Sequence, residues 1–518
     1  MWLKSRTLFT VITILRGSII IASAYYTHHD DDPELTVRIT GGGVIHGFVD
    51  PAAPAVRQFL GIPYAQPPLG NLRFAPPLPA LPFGELNATK LGSSCMQYLS
   101  NTPPNVYVNE VLEFNLAGLN GTDRLPISED CLTLSIWTPP RIINSSNKTT
   151  PPLLPVIVFF YGGAFAAGGA DVPYQIPTNW VKRSQNHIVV SFNHRDNIFG
   201  FPNAAGLDSD KQNVGLLDQR LAVEWVRDNI VAFGGDAKRI GLWGQSSGAC
   251  ALGYYSYSFR DDPIANSLIM DSGNEFIDIL TVDPARANFT YVASQLGCGR
   301  DLTPAQELAC MRRLDAGVIE DFLRQYNDAG TTPLLTFSPV VDNTTVFRNY
   351  TALLTAQLPA LIGSNAQDGV PFVLPYDPTA GVDVGLADQT TKVFFFCPTY
   401  RAALVRSGSS KVYRYLYAGN FTNVSPKGWM GAYHAAEMPL VFGTHALFRG
   451  HSSALEDETS AAMQDVWVAF VATAGEEMPD IEGLDGGAWV EGQVVEFGNG
   501  VPARVLDTAE MDRGCDFS

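Results

Sequence analysis

The stretch Ile240-Gly241-Leu242-Trp243-Gly244-Gln245-Ser246-Ser247-Gly248-Ala249 constrains this chain more than any other. It spells a short buried strand, a tight turn and a helix that opens on small residues. A serine on such a turn has a strained backbone, and the residues two places to either side must be small for strand and helix to approach. Gly244 and Gly248 meet that demand and leave the Ser246 hydroxyl open. The helix start behind it offers free N–H groups and a positive dipole end, both suited to developing negative charge. An ordinary Gly/Ser turn can be spelled the same way, and glycine is abundant here, 47 of 518 residues. The weight of the motif therefore rests on partners elsewhere in the chain.

Two apolar runs precede it. Pro155-Val-Ile-Val-Phe-Phe160 suits a central parallel strand and leads into Tyr161-Gly162-Gly163-Ala164-Phe165. His187-Ile-Val-Val-Ser-Phe192 is a second such strand. Leu217, Leu221 and Trp225 fall at helical spacing within 216–233. Strand, helix, strand and turn make a doubly wound α/β pattern. Leu35 to Val49 alternates around Gly41-Gly-Gly43 and predicts a β-hairpin. The prolines of 59–77 predict an extended surface segment without regular structure.

The composition, 46% hydrophobic and 17% charged, is globular with an ample core. A net charge of −18 with no basic stripe excludes nucleic acid as a partner. Lys4 and Arg6, the apolar run from Leu8 to Leu15, and Ala22-Ser23-Ala24 predict a signal peptide over 1–24, with one domain over 25–518. Arg16 leaves no apolar run long enough to span a membrane. Export agrees with sequons at Asn87, Asn120, Asn144, Asn147, Asn288, Asn343, Asn349, Asn420 and Asn423. It also agrees with seven cysteines that an oxidising compartment would pair in part. No Cys/His cluster has metal-ligand spacing, so neither a metal nor another cofactor is expected.

Three long motifs stand in order: Gly61-Ile-Pro-Tyr-Ala-Gln-Pro-Pro-Leu-Gly-Asn-Leu-Arg-Phe74, Ser128-Glu-Asp-Cys-Leu-Thr-Leu-Ser-Ile-Trp137, and Phe233-Gly-Gly-Asp236 before the serine turn. With them the chain resembles the type-B carboxylesterase/lipase family, which includes cholinesterases and fungal secreted esterases and lipases. The resemblance covers about residues 35 to 515. It implies an α/β-hydrolase fold: a large, mostly parallel central sheet flanked by helices, with a helical and loop insertion near the active site. It also implies disulfides Cys95–Cys131 and Cys298–Cys310. Cys250 reads as a buried free thiol, and the pairing of Cys397 and Cys515 stays open.

In that fold the order is nucleophile, acid, base. Of eight histidines only His434, His445 and His451 follow Ser246. Gly431-Ala-Tyr-His434-Ala-Ala-Glu437 with Val441-Phe-Gly443 resembles the family's histidine segment, which makes His434 the base. Leu361-Ile-Gly-Ser-Asn-Ala-Gln-Asp368-Gly369 resembles its acid segment, so Asp368 takes the place many members fill with glutamate. By position the oxyanion donors are the N–H groups of Gly163, Ala164 and Ser247. Ala164 replaces a glycine and Ser247 an alanine, and the Ala164 methyl narrows the space beside the acyl carbon. Ser272, in Asp271-Ser-Gly273, stands where the family has a serine beside the acid.

These residues point to a serine carboxylic ester hydrolase taking a small-molecule ester through an acyl-serine intermediate. The 95–131 loop has no tryptophan for a choline ammonium. Its segment Val108 to Leu119 could serve as a lipase lid. The motifs leave open a lipase, an esterase or acyltransferase for a natural-product ester or lactone, and a non-catalytic adhesion protein of cholinesterase type.

Overall fold

The computed structural model describes residues 34–100, 102–111, 127–140, 152–299, 301–479, 493–507 and 509–515, together with the backbone of 8–15 and 18–25. Eleven strands form one sheet. In chain order they are β1 (Phe48–Val49), β2 (Arg57–Pro63), β3 (Thr133–Thr138), β4 (Leu154–Phe160), β5 (Ile188–Phe192), β6 (Gly235–Gln245), β7 (Ser267–Asp271), β8 (Ala360–Asn365), β9 (Val412–Tyr417), β10 (Gln493–Phe497) and β11 (Ala503–Asp507). Their spatial order is 1-2-3-5-4-6-7-8-9-10-11. From β5 through β10 every neighbouring pair is parallel, and the pairs outside that block are antiparallel.

The parallel strands are buried on both faces, which explains their unbroken apolar spelling. Along β4, Ile157 and Phe159 join one core, and Val156, Val158 and Phe160 join the other. The first core holds Trp180, Trp243, Phe442 and Trp467, the last from helix α3 (Ala454–Thr473). The second takes Val223, Val226 and Phe233 from helix α1 (Val214–Phe233). Because β6 pairs with β4 on the side away from β5, the loop after β4 lies beside the turn after β6. That crevice at the strand ends is where open α/β sheets place their ligands.

The hairpin expected near Gly41 is present as Thr36–Arg38 paired with Val44–His46. A separate hairpin, Leu8–Leu15 with Ser18–Tyr25, joins neither this nor the main sheet. The proline-rich segment departs from expectation, because its first part is the sheet strand β2, with Phe59 and Ile62 fully buried. Pro63 ends the strand, where a missing N–H costs least. Gly61, at φ +71°, lies where the register against β3 shifts, and a Cβ there would come within 2.5 Å of the Lys90 carbonyl. Farther along, Arg73 makes a buried two-pronged pair with Glu129 and donates to the carbonyls of Met311 and Leu314. One guanidinium thus joins the first two sequence motifs to the helical insertion.

Cys95 is bonded to Cys131, Cys298 to Cys310 and Cys397 to Cys515, and Cys250 is free and buried. Burial pushes the Cys250 thiol up to about 12, so it is not a thiolate nucleophile. Among the sequons, Asn87, Asn343, Asn349 and Asn420 are exposed and Asn288 is half-buried. Asn120, Asn144 and Asn147 lie outside the described residues. Asn423 must be withdrawn as an acceptor in the folded chain. It is buried, and its amide donates to the His445 carbonyl at 2.9 Å and to Ser452 Oγ at 3.3 Å. Among the described residues no helix is long and apolar enough to cross a membrane.

The bridge from Cys397 closes 118 residues and holds the C-terminal turn, which Arg414 also grips through a two-pronged pair with Asp512. Replacing Cys397 and Cys515 together by alanine is expected to cost about 2–4 kcal/mol, read as a lower urea midpoint.

Candidate active site

Ser246 sits between β6 and helix α2 (Ser247–Ser258) with φ 55° and ψ −125°, a conformation L-residues rarely adopt. Close packing holds it there. A Cβ on Gly248 would fall 2.1 Å from the Phe160 carbonyl, and one on Gly244 would fall 2.5 Å from Gly248. A Cβ on Gly273 would reach 2.1 Å from the Ser246 carbonyl. The Ser246 N–H bonds the Asp271 carbonyl at 2.8 Å, tying the turn to β7.

Asp368 lies three residues beyond β8, fully buried. Its Oδ1 is 2.8 Å from His434 Nδ1. Its Oδ2 accepts from Ser272 Oγ at 2.9 Å and from the Asn365 N–H at 2.7 Å. Gln367 anchors the histidine segment to this loop: its N–H bonds the Ala432 carbonyl, and its Oε1 accepts from the Ala432 N–H. The structure therefore brings Ser272, Asp368 and His434 into one bonded chain. His445 stands apart, with its Nδ1 2.6 Å from Ser452 Oγ.

Behind Asp368 lie two more buried carboxyls. Asp271 accepts from Trp243 Nε1, and Glu437 accepts from the Asn365 amide. Burial, with the neighbouring carboxylates adding to it, pushes both above the ordinary carboxyl range. Asp368 is the carboxyl that faces the imidazole, at 2.8 Å.

The loop after β4 carries Gly163 at φ +130° and Ala164 at φ 58°, both exposed. Among the described residues the N–H groups of Gly163, Ala164 and Ser247 take no internal partner. A Cβ on Gly162 would lie 2.7 Å from Ser246 Cβ, so this loop abuts the serine. The arrangement matches what an oxyanion hole requires: free, fixed backbone donors beside a nucleophile. Ala164 stands in the left-handed region that glycine favours, so its methyl is present despite a backbone cost.

Several contacts at the site are not spelled by any motif. Gln245 Nε2 lies 3.3 Å from His434 Nε2. The Ser246 hydroxyl itself makes no hydrogen bond among the described residues. Phe372 and Phe395 pack on the imidazole with centroids at 5.2 and 4.8 Å. Tyr107, on the short helix Val106–Asn109, donates to the His434 carbonyl at 3.1 Å. The segment read as a lid thus begins at the site, and its part from 112 lies outside the described residues. Among those described, no group of three or more His, Cys, Asp or Glu could hold a metal ion.

The glycine loop is braced from behind. Gln97 both donates to and accepts from the Gly168 backbone, at 2.7 and 3.0 Å. Asn197 donates its N–H to the Phe165 carbonyl and its amide to Met96 and Glu320. Burial pushes the Glu320 carboxyl up to about 8. The folded chain therefore holds that proton more tightly than the unfolded one. The associated stability is complete below about pH 4 and is lost as pH rises through about 8. Glu320→Gln removes the titration, so the unfolding free energy of the variant relative to the parent is expected to rise between pH 5 and 8, by an amount on the order of a few kcal/mol, measured by urea unfolding at each pH.

The model of the Carboxylesterase family matches residues 31–384 and 377–482. A chlorogenic acid esterase of Aspergillus niger is 43% identical over 466 residues, 89% of this chain and 87% of that protein. Secreted lipase 5 of Gibberella zeae is 38% identical over 501 residues, 91% of this chain and 90% of that protein. With the sheet order, the serine turn and the Asp368–His434 pair in place, this chain belongs to the carboxylesterase family, the α/β-hydrolases that cleave carboxylic esters.

Proposed function

We propose that this protein is an exported serine esterase, released after residues 1–24, that works through an acyl-serine intermediate. The observation that supports this reading is the bonded chain from Ser272 through Asp368 to His434, whose Nε2 lies 3.3 Å from the amide of Gln245, the residue before Ser246. Ser246 Oγ attacks the ester carbonyl carbon while His434 Nε2 takes its proton. Asp368 accepts from Nδ1–H and stabilises the imidazolium. The N–H groups of Gly163, Ala164 and Ser247 receive the oxyanion. Collapse breaks the bond to the alcohol, which leaves with the proton from His434. Water then gives a proton to His434 and attacks the acyl carbon, and the acid departs as Ser246 regains its hydrogen.

The rings of Phe372 and Phe395 against the imidazole favour an acyl group with a flat apolar face. The chlorogenic acid esterase among the relatives points the same way, towards phenolic acid esters. The secreted lipase among them keeps a lipase reading as the rival. Rates on chlorogenic acid, methyl caffeate and tributyrin separate the two. A lipase would jump in rate above the solubility limit of tributyrin, and the esterase is expected not to.

Ser246→Ala is expected to abolish turnover and fluorophosphonate labelling. Asp368→Asn is expected to lower kcat by roughly 10⁴-fold, because an amide at Asp368 favours the wrong imidazole tautomer. Full activity of Ser246→Ala on p-nitrophenyl esters would remove the serine mechanism.

A further inference from the structure

Gln245 immediately precedes the reactive serine, at the end of β6, and its side chain is buried. Its amide is wedged between two parts of the machinery. The oxygen end lies at the glycine loop, where a Cβ on Gly162 would come within 2.4 Å of Oε1. The nitrogen end faces His434 Nε2 at 3.3 Å. The bond from His434 Nδ1 to Asp368 places the imidazole proton on Nδ1 and leaves a lone pair on Nε2. An amide N–H facing that lone pair donates to it. The reverse orientation would set two lone pairs against each other.

We propose that Gln245 is a positioning residue for the base: between turnovers its amide N–H holds the Nε2 lone pair of His434 and disfavours protonation there. The inference rests on the serine-esterase reading above. A donor on Nε2 stabilises the neutral imidazole and opposes the imidazolium, because the cation has no lone pair to offer it. It also fixes the ring against rotation about its bond to Asp368. For Ser246 to pass its proton to His434, Nε2 must exchange the Gln245 amide for the serine hydroxyl. The neutral amide also keeps a second charge away from the base. Of the titratable groups around His434, Asp368 faces Nδ1. Asp271 and Glu437 lie behind Asp368 with raised pKa values. Tyr107, on the His434 carbonyl, is raised well above its ordinary range by burial. Phe372 and Phe395 add no charge.

The test is the acidic limb of the kcat/KM profile, which reports protonation of the base in the free enzyme. Gln245→Met keeps the size and removes the donor. Gln245→Glu keeps the shape and puts a carboxylate where the amide N–H stood, which favours the imidazolium. The expected order of the limb is parent lowest, Gln245→Met above it and Gln245→Glu highest. Gln245→Glu should move up by about one pH unit, a roughly tenfold loss at pH values below the limb. Fluorophosphonate labelling at the plateau pH confirms that each variant is folded. Two folded variants with lower rates but an unmoved limb would overturn the proposal and leave Gln245 a packing residue. Should Gln245→Glu fail to fold, Gln245→Met alone decides by whether its limb moves. Activity surviving in Ser246→Ala would instead remove the esterase reading, so the two failures are distinguishable.

Discussion

The backbone of Ser246 is the constraint on which the rest of this structure depends. A residue at φ 55° and ψ −125° is costly by about 1–3 kcal/mol and persists only if its surroundings hold it. Here they do so from three sides. β4 comes close enough that only glycine fits at 248, β7 receives the Ser246 N–H, and Gly273 passes within contact of the Ser246 carbonyl. Those contacts exist because β4, β6 and β7 are adjacent and parallel. The long apolar strands and the two cores on either face thus serve one turn. What they deliver is a serine whose neighbours at the strand ends are already in place before any ester arrives.

The acid at the other end of the site faces a different problem, since three carboxyls are buried close together. Three charges there would repel strongly at low dielectric. The hydrogen bonds divide the roles. Asp368 accepts from Ser272, the Asn365 N–H and His434, whereas Asp271 accepts from Trp243 and Glu437 from the Asn365 amide. Burial raises the pKa of Asp271 and Glu437, with the neighbouring carboxylates adding to it. Ser272 matters through this geometry, because its hydroxyl satisfies the Asp368 oxygen that the imidazole leaves free.

Local spelling made much of this legible. The strands β4 and β5, helix α1 and the serine turn each depend on a short run with a strong steric or periodic requirement, whereas the acid and histidine segments are legible only through their resemblance to those of the family. What escaped the sequence depends on chain segments meeting. The prolines near Gly61 predict a segment without regular structure, but Pro63 falls at the strand's end and Gly61 lies at the register shift. Asn423 fits the sequon rule, which reads three residues and knows nothing of the His445 carbonyl 2.9 Å away. The bond between Cys397 and Cys515 spans 118 residues of intervening chain. Phe372, Phe395 and Tyr107 come from three separate segments, and only folding brings them to His434.

The same division explains why mechanism is easier to read here than specificity. Ser246 and Asp368 lie just beyond β6 and β8, strands whose register is set by two-sided burial, so their spacing tolerates little change. The residues that would touch the two halves of an ester sit on irregular segments. Phe372 lies in a 3-10 turn (Val370–Phe372), Phe395 in a π-helical turn (Thr391–Phe396) and Ala164 on an exposed loop. Such segments carry few obligatory hydrogen bonds and can exchange side chains without disturbing the sheet. Ala164 and Gln245 lie on the boundary between these regimes. Gln245 is buried with its amide against His434, and Ala164 carries a methyl at a left-handed backbone position on the exposed loop. On the proposed mechanism, one methyl and one neutral amide would change which esters fit and how the base titrates with every backbone donor left in place.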